Sequence, residues 1–202
     1  MEIHVDGIFN VKLIQSENPG MVFSGNKAQY NQLKITKTDT SLRVSSKRMN
    51  LWKSNYQKPT LTFYQDSIEE FWIHGPVNLS TPDTLQARMF KLYLICELAE
   101  ADVTLNTNFF GLYAHENSAG AYRFHGHTKN FSCRLRGSSH VLAKSLTAND
   151  VRIEQKSIGD IFVHASQSIT VYSDNSGDVY YKGNLQKKKI EVNASGRVFN
   201  LE

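Results

Sequence analysis

Gly177-Asp178-Val179 is one of seven copies of a short phrase in this chain, in which a small residue is followed two positions later by an apolar residue typical of strands. From Val103 onward the apolar residues of successive copies lie 18 to 20 residues apart. A fixed period near twenty predicts a solenoid, because each repeat buries its apolar face only by stacking on the next. The other six copies are Gly75-Pro76-Val77, Ala101-Asp102-Val103, Gly120-Ala121-Tyr122, Ser139-His140-Val141, Gly159-Asp160-Ile161 and Gly196-Arg197-Val198.

Apolar residues also recur at fixed distances from the phrase. Around Ile161, for example, Val163 lies two positions later and Ile153 and Val151 lie eight and ten positions earlier. Side chains alternate along a strand, so each pair two positions apart marks the inward face of a strand. The even spacing predicts an all-β parallel β-helix with rungs of about 19 residues. A β-sandwich would have less regular spacing and less uniform turns.

The same alignment extends toward the N-terminus. It places Tyr93 and Ile95 on inward positions and makes Val103 the equivalent of Tyr122. The step that ends at Val103 is 26 residues long, which predicts a short insertion near Pro82 followed by a strand.

Residues 1–60 have shorter and less regular apolar segments. We expect strands around Ile3–Val5, Val11–Leu13, Leu33–Ile35 and Leu42–Val44, and a helical turn within 27–32. An uncovered solenoid end would expose a row of unpaired strand groups. We therefore predict one continuous domain, 1–202, with a β-rich cap over 1–60 and the β-helix repeats over 61–202.

Composition narrows the classes of partner. A hydrophobic content of 40% and a charged content of 21% are ordinary for a folded domain. The net charge of +4 is modest, and no basic stripe with interleaved aromatic residues predicts a nucleic-acid partner. No apolar run is long enough to span a membrane, and the residues after Met1 do not form a signal peptide. The chain is either exported with its leader removed or cytoplasmic.

We call the apolar residue that ends each phrase its anchor. The position just before the anchor carries charged side chains in the last four copies: His140, Asp160, Asp178 and Arg197. Asp160 and Asp178 would lie about one strand spacing apart, close to the separation of the two carboxylates in a retaining glycosidase. A polysaccharide-active enzyme using this pair is therefore one alternative. The flanking His140 and Arg197 compensate the charge, and Asp is common in turns for local reasons. A structural charge ladder is the preferred interpretation, and no catalytic residue is assigned.

Histidines and cysteines do not predict a metal site or a disulfide. His125 and His164 fall on one column two rungs apart, about 10 Å, too far to share one zinc ion. We predict no metal and no cofactor. Cys96 and Cys133 also lie two rungs apart, on opposite sides of the wall. Both are expected to be free, with Cys133 buried.

The position just after the anchor predicts an apolar stripe on the outer wall. It reads Thr104, Arg123, Leu142, Phe162, Tyr180 and Phe199 in successive repeats. Four consecutive apolar side chains, Leu142, Phe162, Tyr180 and Phe199, exceed the scattered exposed hydrophobic residues that need no explanation. Either a loop or the C-terminal strand covers them, or they bind a carbohydrate, a surface protein or a second copy of the chain.

Three segments resemble one bacterial family. These are Val5–Leu13, the turn Ser176–Val179, and Tyr181–Asn184 followed by Ala194–Val198. Together they are similar to the proteins called putative auto-transporter adhesin, head GIN domain. Ala101 and Ser139 depart from the glycine usual in that family, and the chain lacks a leader.

The resemblance implies a right-handed β-helix, export to the cell envelope and no established enzymatic activity. The expected function is a non-catalytic module of the cell surface or envelope, which binds carbohydrate or protein. The polysaccharide-active enzyme and a structural scaffold protein stay open as alternatives.

Overall fold

The chain winds as a β-solenoid of about seven turns, in which parallel strands stack from one coil to the next. A computed structural model describes residues 1–46 and 57–201. Strands account for 68% of the residues and helix for 2%, which confirms the predicted all-β solenoid. The strands are β1 (Glu2–Asp6), β2 (Phe9–Gln15), β3 (Gly20–Ser24), β4 (Leu33–Lys37), β5 (Ser41–Ser46), β6 (Thr60–Gln65), β7 (Glu70–Ile73), β8 (Val77–Ser80), β9 (Leu85–Leu94), β10 (Glu100–Ala114), β11 (Ala121–Gly137), β12 (His140–Ser157), β13 (Ile161–Ser173), β14 (Val179–Lys182), β15 (Lys187–Val192) and β16 (Val198–Asn200).

Hydrogen bonds between successive coils arrange these strands in walls. The first wall contains β5, β1, β7 and β15 with the C-terminal parts of β9 to β13. The second wall contains β6, β2, β8, β14 and β16 with the N-terminal parts of β10 to β13. A short third wall joins them through the start of β9 and the middle of β10, β11 and β12. Every neighbour within these walls is parallel.

The core consists of columns of equivalent side chains that point into the coil. Neighbours in a column are hydrogen-bonded partners on adjacent rungs, and all but the last residue of each column are buried. Burying one such side chain contributes about 1.5–3 kcal/mol. The column of the second wall is Leu61, Val11, Leu79, Ala101, Tyr122, Val141, Ile161, Val179 and Val198. The column of the first wall is Leu42, Ile3, Phe71, Leu92, Leu112, Cys133, Ile153, Val171 and Ile190.

From Tyr122 onward the predicted register is correct for the apolar residue of each phrase and for the position just after it. It fails at the bulge of β12 after Ala143, and it is wrong before Tyr122. Ala101, not Val103, pairs with Tyr122. The turn between β10 and β11 spans residues 115–120, whereas only two residues separate β11 from β12, so a constant period misplaces the earlier rungs. Tyr93 is consequently half-buried on the outer face and Ile95 is 40% exposed, although both were expected inside. The strand predicted after Pro82 is confirmed as β9.

The small residue of the repeated phrase lies where adjacent coils approach each other closely. A Cβ atom added to Gly177 would overlap the carbonyl oxygen of Gly159 on the neighbouring coil, and one added to Gly196 would approach that of Gly177. A glycine in a strand-rich fold often marks such a close approach of two backbones. The phrase is therefore needed for stacking the turns as well as for making them.

The N-terminal strands occupy two different places in the fold. Strands β3 and β4 pair antiparallel with β6 and β5 and lie at the edge of the stack. The predicted helical turn is confirmed as α1 (Lys27–Tyr30), which begins with a capping box between Asn26 and Gln29.

Strands β1 and β2 instead lie inside the stack. Each has a parallel neighbour on both sides, β5 and β7 for β1 and β6 and β8 for β2. Residues 47–56 of the predicted cap lie outside the described residues, and the division of the chain at residue 60 stays a prediction. No described helix is long and apolar enough to cross a membrane.

We predict that Phe110→Ala lowers the free energy of unfolding by about 3–5 kcal/mol, because it removes a ring from the centre of the core. The Phe110 ring lies 4.7 Å from that of Phe124 and 5.1 Å from that of Phe131, between centroids. Urea denaturation followed by circular dichroism measures the loss. Phe109→Ala is the matched control, since Phe109 is half-buried on the outer face. Equal losses in the two variants would contradict this inside–outside register.

Candidate functional site

The apolar stripe predicted on the outer wall is in register in the structure. Leu142, Phe162, Tyr180 and Phe199 pair in sequence across β12, β13, β14 and β16 of the second wall. The Phe162 and Tyr180 rings stack with centroids 4.5 Å apart, and those of Tyr180 and Phe199 are 5.1 Å apart. All four side chains are half-buried, so no described segment covers the stripe completely.

Both ends of the aromatic stack are covered by cations. Nζ of Lys144 lies 4.4 Å from the centroid of the Phe162 ring, and Cζ of Arg197 lies 5.0 Å from that of Phe199. Such cation–π contacts occupy the outer ring faces. The faces between the rings are already stacked, so the stripe presents ring edges to a partner. Thr104 was expected to continue this column, but Asp102 takes that place because Asp102 pairs with Arg123.

The charged residues predicted before the anchor form a hydrogen-bonded ladder. Nδ1 of His140 accepts the backbone N–H of Asp160 at 3.0 Å. Oδ1 of Asp160 accepts the N–H of Asp178 at 3.0 Å. Oδ1 of Asp178 in turn accepts the N–H of Arg197 at 2.8 Å. Each side chain thus holds the backbone of the next rung at the turn, which supports the structural role that we propose for the ladder.

The Asp178 carboxylate is unsuited to the role of a general acid. While its Oδ1 accepts the Arg197 N–H, its Oδ2 accepts bonds from the Arg197 guanidinium at 3.2 Å and from the Tyr180 hydroxyl at 3.3 Å. Partial desolvation raises the pKa of Asp178, but these hydrogen bonds and the charge of Arg197 outweigh it and hold the pKa below its ordinary value. The acid of a retaining glycosidase needs a raised pKa, so Asp178 does not fit that role. Oδ1 of Asp160 and Oδ1 of Asp178 are also each engaged by a backbone N–H of the turn, which does not favour the polysaccharide-active alternative.

A second aromatic column, which the sequence did not predict, runs along the first wall. Its Trp72 and Tyr93 rings stack with centroids 3.8 Å apart, and those of Tyr93 and Tyr113 are 4.8 Å apart. His4 stacks on Trp72, and the Arg134 guanidinium lies 5.9 Å from the Tyr113 ring. This column was missed because the misplaced register put Tyr93 inside the coil. Outward aromatic residues at corresponding positions of adjacent rungs are the signal that would have found it.

His4 and His74 share a hydrogen bond at one end of that column. Nδ1 of His4 lies 3.2 Å from Nε2 of His74 and 3.4 Å from the Arg43 guanidinium, which can only donate. Nδ1 of His4 is therefore the acceptor and Nε2 of His74 the donor. Burial lowers the pKa of both histidines, and the charge of Arg43 lowers both further. Glu2, 3.6 Å from His4, acts in the opposite direction on the pKa of His4.

The remaining histidines do not converge. Nε2 of His125 pairs with Oδ1 of Asp102 at 3.1 Å. His164 was expected to share a column with His125 but pairs with Thr147, which also pairs with His127, because β12 bulges at this point. Within residues 1–46 and 57–201, no three His, Cys, Asp or Glu side chains lie close enough together to hold a metal ion.

Cys96 and Cys133 are both free and Cys133 is buried, as predicted, and Cys96 is buried as well. The expectation that they face opposite sides of the wall is wrong, since Cys96 is only 8% exposed and belongs to the core. Burial raises the pKa of the Cys96 thiol to about 11 and also raises that of Cys133. Neither thiol is therefore activated as a nucleophile.

Residues 1–184 match the family described as putative auto-transporter adhesin, head GIN domain. The chain belongs to this family. The match confirms the family that the N-terminal phrase and the repeated turns resemble. No curated protein matches the chain in sequence.

Solved structures from Bacteroides and Parabacteroides share the fold of this head GIN domain. A putative adhesin from Bacteroides fragilis aligns with a TM-score of 0.89 at 18% identity, over 99% of this chain and 91% of its own. A putative adhesin from Parabacteroides distasonis aligns with a TM-score of 0.70 at 15% identity, over 99% and 92%. A putative lipid binding protein from the same organism aligns with a TM-score of 0.66 at 14% identity, over 100% and 92%. At these identities the likeness shows the fold alone.

We predict that Asp178→Ala destabilises this head GIN domain by about 0.5–1.5 kcal/mol, because it removes hydrogen bonds to Arg197 that water replaces only in part at this exposed turn. Asp178→Asn keeps an acceptor oxygen and should cost less. Urea denaturation measures both, with Asp83→Ala at an exposed turn as the control. If Asp178→Ala is as stable as the control, the ladder is not structural.

We predict that stability falls as the pH drops below about 6.5, since protons bind His4 and His74 more readily in the unfolded chain. A histidine with a lowered pKa in the folded state contributes stability above its unfolded pKa and loses it as the pH falls through the folded one. The unfolding free energy of His4→Gln/His74→Gln should therefore depend less on pH between about 7.5 and 5. His164, whose pKa is also lowered, keeps some dependence in the variant.

The control for this experiment is His115→Gln, at an exposed turn position. It should follow the same curve as the unmodified protein. A double variant whose stability still falls as steeply as that of the control would contradict the assignment of the pH dependence to the His4–His74 pair.

Proposed function

We propose that this domain is a non-catalytic, adhesin-like binding module of the cell surface or envelope, whose contact surface is the stripe Leu142, Phe162, Tyr180 and Phe199. The observation that carries the proposal is the in-register stack of half-buried apolar side chains on an outer wall. Membership in a family described as adhesins supports surface binding and export. The partner is a carbohydrate or a protein, or a second copy of the chain.

The stripe is rigid before any partner arrives. Three of its side chains are stacked on one another, and the Tyr180 hydroxyl donates to Asp178 at 3.3 Å. Ordering a free side chain on binding costs about 0.5–1.5 kcal/mol, so a stripe that is already ordered loses less. Fixed aromatic groups of this kind are typical binding hot spots.

The wall around the stripe restricts how a partner can bind. Backbone groups of β12, β13 and β14 are already paired with the coils on either side. An extended peptide therefore cannot insert beside these strands and could add only at the outer edge of β16, the end strand of this wall. A partner bound along the wall must contact side chains, above all the ring edges. Asp160 and Asp178 are engaged in the ladder, which favours binding over catalysis.

We predict that Phe162→Ser/Tyr180→Ser weakens attachment by about tenfold or more, because each removed hot-spot ring costs about 2 kcal/mol. Beads coated with the purified domain are applied to an epithelial monolayer and to a mucin-coated surface, and the beads retained under flow are counted. Light scattering on the same samples shows whether the stripe also joins two copies.

The matched control is Phe109→Ser/Tyr113→Ser, which removes one phenyl and one phenol ring from the first wall. Circular dichroism confirms that all variants fold. Attachment that the stripe variant leaves unchanged, or that both variants reduce equally, would contradict the assignment of the contact surface. Absence of attachment by the unmodified domain would contradict the adhesin-like function itself.

A further inference from the structure

A cavity lies beside the Leu142 end of the stripe, on the outside of the second wall. Its volume is about 230 Å³, and its lining combines cationic, polar and apolar side chains. Pockets for drug-sized ligands measure about 300–1,000 Å³, so this one fits a single small unit of a larger ligand. The lining residues are Arg123, His125, Leu142, Lys144, Ser145 and Phe162.

The cavity exists because β12 bulges at this corner. Between Ala143 and Thr147 the strand advances four residues while its neighbour β13 advances only one, from Val163 to His164. The register with β11 also shifts in the same region. The extra residues carry Lys144 and Ser145 out of the regular wall, and bulges commonly redirect side chains beside functional sites in this way.

Two cations of the cavity have no acidic partner among the described residues. No carboxylate of residues 1–46 and 57–201 lies within 4.0 Å of the charged nitrogens of Arg123 or Lys144. Asp102, the neighbour of Arg123 in the same column, is engaged by His125 at 3.1 Å. Arginine and lysine that converge on a cavity without a counter-ion are suited to hold a carboxylate of a ligand.

A larger groove continues from the cavity along the same wall. It measures about 430 Å³ and shares Arg123 with the cavity. Neutral amides and hydroxyls line much of it, among them Asn10, Asn78, Thr60 and Ser80. Lys12, Glu100 and Asp102 also line it, so beyond Arg123 two carboxylates face one cation and this part of the wall disfavours a second anionic group. The combined site has two cations without a carboxylate partner at one end and mainly polar side chains, three of them charged, beyond it.

We propose that this site binds an oligosaccharide whose terminal sugar carries a carboxylate and whose remaining sugars are neutral. The carboxylate bonds to Arg123 and Lys144, and the apolar side of the terminal sugar contacts Leu142 and the edge of Phe162. The neutral sugars extend along the groove toward Asn78. The proposal rests on the binding function proposed above and names its ligand class. The paired backbone of the wall disfavours an acidic peptide in the same place.

The test is calorimetric titration of the domain with 3′-sialyllactose, which has one carboxylated terminal sugar on a neutral disaccharide. Lactose lacks the carboxylated sugar altogether and should bind at least about tenfold more weakly. The methyl ester of 3′-sialyllactose keeps all three sugars without the charge and should also bind at least about tenfold more weakly, since a charge-assisted hydrogen bond is worth about a factor of ten. Arg123→Gln/Lys144→Gln should weaken 3′-sialyllactose binding by about tenfold or more for the same reason.

The control Lys129→Gln/Arg136→Gln removes two charges elsewhere on β11 and should change the affinity for 3′-sialyllactose by less than about twofold. Equal loss in both double variants would overturn the proposal, because it would reflect net charge alone. No binding of 3′-sialyllactose, or equal binding of lactose, would also overturn it. So would tighter binding of a hexaglutamate peptide. If these outcomes occur while beads still attach through the stripe, only the ligand class fails and the binding function stands.

Discussion

Parallel hydrogen bonding between coils is the constraint on which the rest of this structure depends. It places equivalent residues of successive rungs about 4.8 Å apart, so each residue meets its own counterparts on both sides. Inside the coil this produces apolar columns such as Phe110 and Phe131 with parallel rings. Outside, it produces the stacked rings of Phe162 and Tyr180. Aromatic rings in such columns stack face to face, so only their edges are exposed to a partner.

The same spacing brings like charges on adjacent rungs together, and the ladder of His140, Asp160, Asp178 and Arg197 shows how the chain avoids their repulsion. Asp160 and Asp178 lie on adjacent rungs, yet each carboxylate accepts the N–H of the residue above it. The ionised form of Asp178 is further stabilised by Arg197 at the end of the ladder. In sequence these two carboxylates resemble a catalytic pair. In the structure they are the hydrogen-bond acceptors for backbone N–H groups at the turn. Proximity of acidic residues in a solenoid is consequently weak evidence for catalysis.

The fold could be predicted from the sequence where the turns are short and uniform. From Tyr122 to Val198 the anchors and the stripe follow the period, and the structure confirms that register. The six-residue turn before β11 breaks the period, so Tyr93 was misplaced and the first-wall column with it. The position of β1 and β2 between later coils has no local signal, because the chain does not build the stack in order. The bulge at Lys144 was also hidden, since inserted residues need not interrupt a strand-like sequence.

The ends of the solenoid and its walls differ in what they can bind. On the last rung of the first wall, Lys188 occupies the inward position that Ile169 fills on the rung before, and its Nζ reaches the Tyr181 hydroxyl at 3.5 Å. On the second wall, Asn200 occupies the position that follows Tyr181. If an apolar rung of a second copy stacked here, it would bury the charge of Lys188 and the amide of Asn200. Charged and polar side chains on an exposed edge strand commonly prevent such stacking. The recognition surface proposed above accordingly lies on a wall, where most of the backbone is paired and the side chains are held in place by the stacking itself.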